Sequence, residues 1–211
     1  MFSKDRDLVV HDPGLMRDVG WAGQRRLSVI GGISGTQLTI ETGSFVDAGI
    51  EAGHAVLFDG ITLEVVSVDS ATTATVSLMR ADALGAAVPP IEADTRTVVV
   101  HDFSAQRSIV HRQVLTMLGI DAQGEHVFGI DETMITNTGA LNRLETLGTL
   151  HLIYAGASAP SRANDRFEQR AELYRQRYQR ERESVIAMID TDGDGIAEVT
   201  RRPNAFVLAR G

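Results

Sequence analysis

The chain has 211 residues, no cysteine and a formal net charge of -8, a length that supports one sizeable core or two small ones. With 43% hydrophobic and 23% charged residues it reads as an ordinary globular protein, and no apolar run approaches the ~20 residues of a membrane helix. The missing cysteines exclude a disulfide framework, a thiolate nucleophile and a Cys-based zinc site, and the acidic balance disfavours a generic nucleic-acid coat.

Residues 1–26 read as an extended N-terminal arm. MFSKDRDLVVHDPG has neither the apolar core nor the small-residue cleavage site of a secretion signal, so synthesis in a cytoplasm is expected. Asp12-Pro13-Gly14 is a turn signal, and the apolar residues around it follow no sustained period. Trp21, the single tryptophan, is either an interface anchor or a cap on its own core.

Residues 27–101 read as an antiparallel β domain. TQLTIE (36–41), AVLF (55–58), ITLEVVSV (61–68), TATVSL (73–78) and RTVVV (96–100) are rich in β-branched residues and bounded by Gly, Asp and Pro. Asp59-Gly60 is a two-residue hairpin signal, because that turn needs positive φ. Ile61, Leu63 and Val65 alternate with Thr62 and Glu64, so one sheet face is expected to be buried and the other wet. Short strands without a helical crossover predict a small barrel or roll. From Thr36 to Arg96 there are nine acids against Arg80 and Arg96.

Residues 102–190 read as a helical bundle. Ser104 opens a first helix with a broad apolar face, ended by Gly119. Asn137 or Thr138 opens a second, whose leucines point in too many directions for a surface helix. The third and longest is predicted over 165–189, capped by Asn164 or Asp165. Its apolar stripe is Phe167, Ala171, Tyr174, Tyr178, Val185 and Ile189. The opposite face carries Arg170, Arg175, Arg177, Arg180 and Arg182 among glutamates, and reads as an intersubunit or solvated face. The fold expected is α+β: a three- to four-helix bundle with an inserted small antiparallel β-barrel or roll and extended terminal arms.

Residues 191–211 read as an aspartate-rich loop and a C-terminal arm. Asp190, Asp192, Asp194 and Glu198 fit D-x-D-x-D-G-x-x-E, an oxygen-rich ligand pattern suited to Ca²⁺. An EF-hand loop would carry glutamate at the twelfth position, where this chain has Arg201. The competing reading is a turn whose carboxylates cap amides. The tail offers Arg201, Arg202, Phe206, Val207 and Leu208 as a docking arm. Catalytic signatures are lacking: the six histidines show no metal-ligand spacing, and Gly31-Gly32-Ile33-Ser34-Gly35 lacks the lysine of a phosphate loop. His151 is expected to be a hydrogen-bonded core histidine.

LxxLGTLHLIY (144–154), AELYRQRYQRERE (171–183) with the DTDGDGIAE loop, and the pair Arg201-Arg202 resemble the head-to-tail adaptor (connector) proteins of tailed bacteriophages. FVDAGIEAGHAVLFDGITLEVVSVDS (45–70) with FSAQRSIVHRQVLTMLGI (103–120) resembles phage structural proteins encoded near the capsid gene. The resemblance implies a virion protein forming a twelve-fold ring of identical subunits. That ring would lie under the portal protein, with a central DNA channel and a tail or further connector protein below. It also implies assembly in the host cytoplasm, no catalysis, no required cofactor and no membrane. The alternative is a Ca²⁺-dependent binding or adhesion module of a tail or surface assembly.

Overall fold

The computed structural model describes residues 1–120, 130–158 and 165–203. The chain divides into two compact units, one of residues 4–105 and one of residues 1–3 with 106–211.

The first unit is built on six strands, β1 (Gln24–Ser34), β2 (Gln37–Ile40), β3 (Ala55–Phe58), β4 (Ile61–Val68), β5 (Thr73–Ser77) and β6 (Ala93–Asp102). They close into an antiparallel barrel in the order β1-β2-β5-β4-β3-β6, with β6 returning to β1. Closure rests on the length of β1 and β6 and on two register shifts in β1, at Arg25/Leu27 and Gly31/Ile33, which coil that strand. A Cβ on Gly31 would lie 2.5 Å from the Thr39 carbonyl oxygen, so only glycine permits the close approach at the second shift. Asp59 and Gly60 have φ of 47° and 83° and turn β3 into β4, as the sequence predicts. Leu38, Ile40, Phe45, Val56, Phe58, Leu63, Val65, Val76, Val98 and Val100 fill the core of this unit.

Two expectations fail here. Residues 5–19 do not form an extended arm: α1 (Asp5–His11) and α2 (Leu15–Val19) are short helices that bury Leu8, Val9, Leu15, Met16 and Val19. The apolar residues of 1–26 lack one period because two short helices meeting at a turn never show one. Glu64 does not face water either. It is 0% exposed and ion-paired with Arg6 of α1, Nε to Oε2 at 2.6 Å, and with Arg80. The alternation in β4 correctly puts Leu63 and Val65 inside, but the other face of that strand is covered.

In the second unit α3 (Ser104–Met117), α4 (Thr138–Ser158) and α5 (Asp165–Ser184) precede a two-stranded sheet of β7 (Ala187–Ile189) and β8 (Val199–Arg201). α4 is the most buried helix, with Leu141, Leu144, Leu147, Leu150, Ile153 and Tyr154 all inaccessible or nearly so. α5 lies along it through ring contacts, Tyr174 stacked on Tyr154 at 5.7 Å and Phe167 at 6.1 Å, while Arg170 donates to the Tyr154 hydroxyl at 2.6 Å. His151 Nδ1 lies 3.0 Å from the Ala171 carbonyl oxygen.

α5 stops at Ser184, five residues short of the predicted 165–189 helix. Other groups take up the backbone beyond it. The Asn137 side chain donates to the Ile186 carbonyl and accepts from the Met188 amide, both at 2.8 Å, and Thr136 donates to the Met188 carbonyl at 2.9 Å. With those partners supplied, the β-branched run around Val185 and Ile189 takes the extended form it prefers. Among the described residues the architecture is thus α+β with five α-helices, dominated by a closed six-stranded barrel. Among the described residues the chain is not a helix bundle carrying a small inserted roll, and residues 1–26 are not a free arm. Asn164, Phe206, Val207 and Leu208 lie outside the described residues.

Candidate functional site

The aspartate loop is the tip of the β7–β8 hairpin, in which Ile189 faces Val199 and Ala187 faces Arg201. Asp190 closes β7 and is buried. Its Oδ1 accepts from the amides of Asp192 (3.2 Å) and Gly193 (2.7 Å), and its Oδ2 from that of Gly195 (2.7 Å). Gly193 and Gly195 have φ of 82° and 88°, which lets the chain fold around that carboxylate. The Gly193 and Gly195 amides hold the Asp190 pKa below the usual carboxylate range. Asp192 and Asp194 each accept from the amide two residues on, and Glu198 reaches back to the amide (2.7 Å) and hydroxyl (3.1 Å) of Thr191.

Amide capping and convergence thus coexist. Asp190, Asp192, Asp194 and Glu198 each offer one oxygen, and the four atoms lie within 4.8 Å of one another. An all-oxygen set carrying four negative charges fits a hard cation such as Ca²⁺. The twelfth-position Arg201 is engaged elsewhere, donating to the carbonyls of Leu118 (2.6 Å) and Gly119 (3.1 Å) where α3 ends. A cavity of about 350 Å³, lined by Thr133, Met134 and Thr136, borders Asp190 to Gly193.

The predicted arginine face of α5 is unevenly used. Arg175 grips Glu172 through two hydrogen bonds, at 2.7 and 2.8 Å, and that pair holds Glu172 down to about 2. Arg177 lies 5.7 Å over the Tyr174 ring. Arg180 is exposed, and neither Arg177 nor Arg180 has a carboxylate partner among the described residues. Arg182 is half-buried, its Nη1 4.0 Å from Met117 Sδ. Trp21 is 55% exposed with its indole N–H 3.3 Å from the Asp18 carbonyl oxygen, so it does not cap its own core. Arg202 is exposed. Arg201, held on the end of α3, is not part of a free arm.

On the barrel unit, eight of the nine acids between residues 36 and 96 are exposed, the ninth being Glu64. Arg80 is drawn onto Glu64, and Arg96 pairs with Asp59 at 3.2 Å. Burial of the Glu64–Arg80 pair removes one charge of each sign, so the exposed surface over that span keeps the acidic balance of its residue count.

One charged network escapes sequence reasoning. Glu145 in α4 is 0% exposed and accepts from the amides of Phe2 (3.1 Å) and Ser3 (3.0 Å) and from the Ser3 hydroxyl (2.6 Å). It also meets His111 Nδ1 at 2.8 Å, while His111 Nε2 lies 3.1 Å from Glu132. Arg107 donates to the Ser3 carbonyl at 2.8 Å and Asn142 to that of Phe2 at 2.8 Å. Burial works against a charged imidazole, but the Glu145 hydrogen bond and the charges of Glu145 and Glu132 outweigh it, and the His111 pKa is raised. Burial likewise opposes the Glu145 charge, and the bonds from His111, Ser3 and Phe2 overcome it, lowering its pKa. The Ser3 hydroxyl donates to the carboxylate rather than the imidazole, so this is not an activated nucleophile. It fastens residues 2 and 3 to α3 and α4. No spacing rule connects residues this far apart in the chain.

No family model, curated protein or solved structure compared with the chain matches it. Among the described residues no helix is long and apolar enough to cross a membrane.

Proposed function

We propose that the chain is a non-catalytic structural subunit, a head-to-tail adaptor of a tailed-phage virion. On this reading it assembles with identical copies into a ring under the portal protein, lets DNA pass without gripping it, and meets the tail protein below. The observation that carries the proposal is the uneven spread of unpaired surface charge. Seven exposed carboxylates between residues 36 and 96 have no arginine partner among the described residues, Asp59 being paired with Arg96, while α5 presents Arg177 and Arg180 without carboxylate partners. Complementary faces on one chain favour heterologous self-contacts, and an acidic balance suits a channel that must not hold phosphates. Exposed Trp21 supplies an apolar anchor.

The test is sedimentation velocity and electron microscopy of the purified protein across a concentration series, with and without portal protein. Rings, or a portal-bound complex that weakens with salt, are expected. Removal of residues 204–211 should abolish the portal complex and leave the fold intact. A monomer mass at every concentration, with portal protein present or absent, refutes the reading.

The convergence of four carboxylate oxygens at the β7–β8 tip favours a second reading, a Ca²⁺-dependent binding or adhesion module. It predicts a calorimetric heat and a raised melting temperature with Ca²⁺ in the wild type, both lost in Asp192→Ala. Their absence from the wild type dismisses it.

A further inference from the structure

A groove of about 550 Å³ runs along the surface of the helical unit between α3 and α5, lined by Ile109, Arg112, Met117, Tyr178 and Arg182 among others. Its floor is apolar: Ile109 is exposed, Met117 half-buried, and burial raises the Tyr178 pKa. Its charge is one-sided. Arg112 has no carboxylate partner among the described residues, and the buried Arg182 Nε has no hydrogen-bond acceptor. The buried Arg182 Nε is costly to leave without an acceptor, and exposed Arg112 beside it adds a cation with no carboxylate partner among the described residues. An occupant that supplies carboxylates and an aliphatic side chain would relieve both features.

The same chain carries such a segment. Between β5 and β6 the loop 82–92 exposes Leu84 (94%) and Ile91 (78%), the two most exposed large aliphatic side chains among the described residues. Asp82 and Glu92 flank them, and both are exposed. The loop is held in shape: the Leu84 amide donates to Asp82 Oδ1 at 2.9 Å, Arg80 donates to the Gly85 carbonyl, and Glu92 accepts from the Gly35 amide at 2.8 Å. A preformed loop loses little entropy on docking. We infer that the α3–α5 groove receives the 82–92 loop of a second copy of this chain, Leu84 entering over Ile109 and Met117, and Asp82 and Glu92 meeting Arg112 and Arg182. The contact joins two different surfaces, so it is heterologous and leaves a free loop on one copy and a free groove on the other to extend the assembly. The inference rests on the self-assembly proposed above and names the surfaces that make it.

The test uses two full-length variants, Arg112→Glu/Arg182→Glu in the groove and Asp82→Asn/Leu84→Asp in the loop, with circular dichroism to establish that each folds. In sedimentation velocity each alone should associate at least about tenfold more weakly than wild type, because the first makes the charge pairs repulsive and the second removes a charge pair and the apolar anchor. Mixing the two should restore one intact contact and give a dimer that grows no further. If wild type assembles and either variant assembles equally well, or the mixture stays monomeric, the groove–loop contact is wrong while self-assembly stands. If wild type never assembles, both fail. An unfolded variant is replaced by Arg112→Gln or Leu84→Ser, read in the same way.

Discussion

Glu64→Gln tests the energetic reading of the barrel unit. Glu64 is fully buried, and its Oε2 and Oε1 accept from the Nε–H groups of Arg6 and Arg80. Arg6 also donates to the Arg80 carbonyl at 2.8 Å, so the carboxylate centres a tie between α1, β4 and the chain after β5. Glutamine keeps the volume, removes the charge and turns one acceptor into a donor facing a guanidinium N–H. A charge-assisted hydrogen bond contributes about 1.5–3 kcal/mol, and removing one partner of a buried ion pair costs about 3–5 kcal/mol. The Arg6 and Arg80 side chains keep 12% and 9% exposure, so water partly replaces the lost partner and the lower end applies. A loss of about 3 kcal/mol corresponds to a melting temperature roughly 6–12 °C lower for a chain of this size. Urea unfolding followed by circular dichroism should show a lower midpoint with an unchanged slope. The triple replacement Arg6→Met/Glu64→Leu/Arg80→Met should recover most of the loss, since no charge is then stranded. A Glu64→Gln stability within about 0.5 kcal/mol of wild type would refute the reasoning, because it would mean that water already serves both guanidinium groups.

The His111–Glu145 network gives a pH signature. The raised His111 pKa makes its contribution complete below the ordinary value of 6.5 and lost as pH rises through the higher folded value. The lowered Glu145 pKa makes its contribution complete above the ordinary 4.5 and lost as pH falls through the folded value. Stability of the helical unit should therefore be greatest between those two ordinary values and fall on either side. An NMR midpoint for the His111 ring at or below 6.5 would contradict this. Gly148→Ala probes the place where α3 and α5 both close on α4. The new Cβ would sit 2.7 Å from Val110 Cγ1 and 2.9 Å from Tyr178 Cε2. Overpacking of about 1–3 kcal/mol should exceed the roughly 0.8–1.0 kcal/mol gained in helix propensity, and an unchanged or raised melting temperature counts against that packing.

Much of the chain is legible without coordinates. The β-branched runs and Asp59-Gly60 announce β3, β4 and β5 because tight hairpins obey local rules, and Ser104, Thr138 and Asp165 begin helices as expected. The aspartate loop is equally legible, since its capping and convergence arise within one short segment. Three things were decided by partners distant in sequence. Barrel closure depends on β6 meeting both β1 and β3. The end of α5 depends on the Asn137 side chain, which satisfies the extended backbone from the far side of α4. The burial of Glu64 and Glu145 depends on Arg6, Arg80, His111 and the first residues of the chain. Periodicity reports which side of an element is apolar. Whether a charged side is left in water is fixed only when another element brings the opposite charge to it.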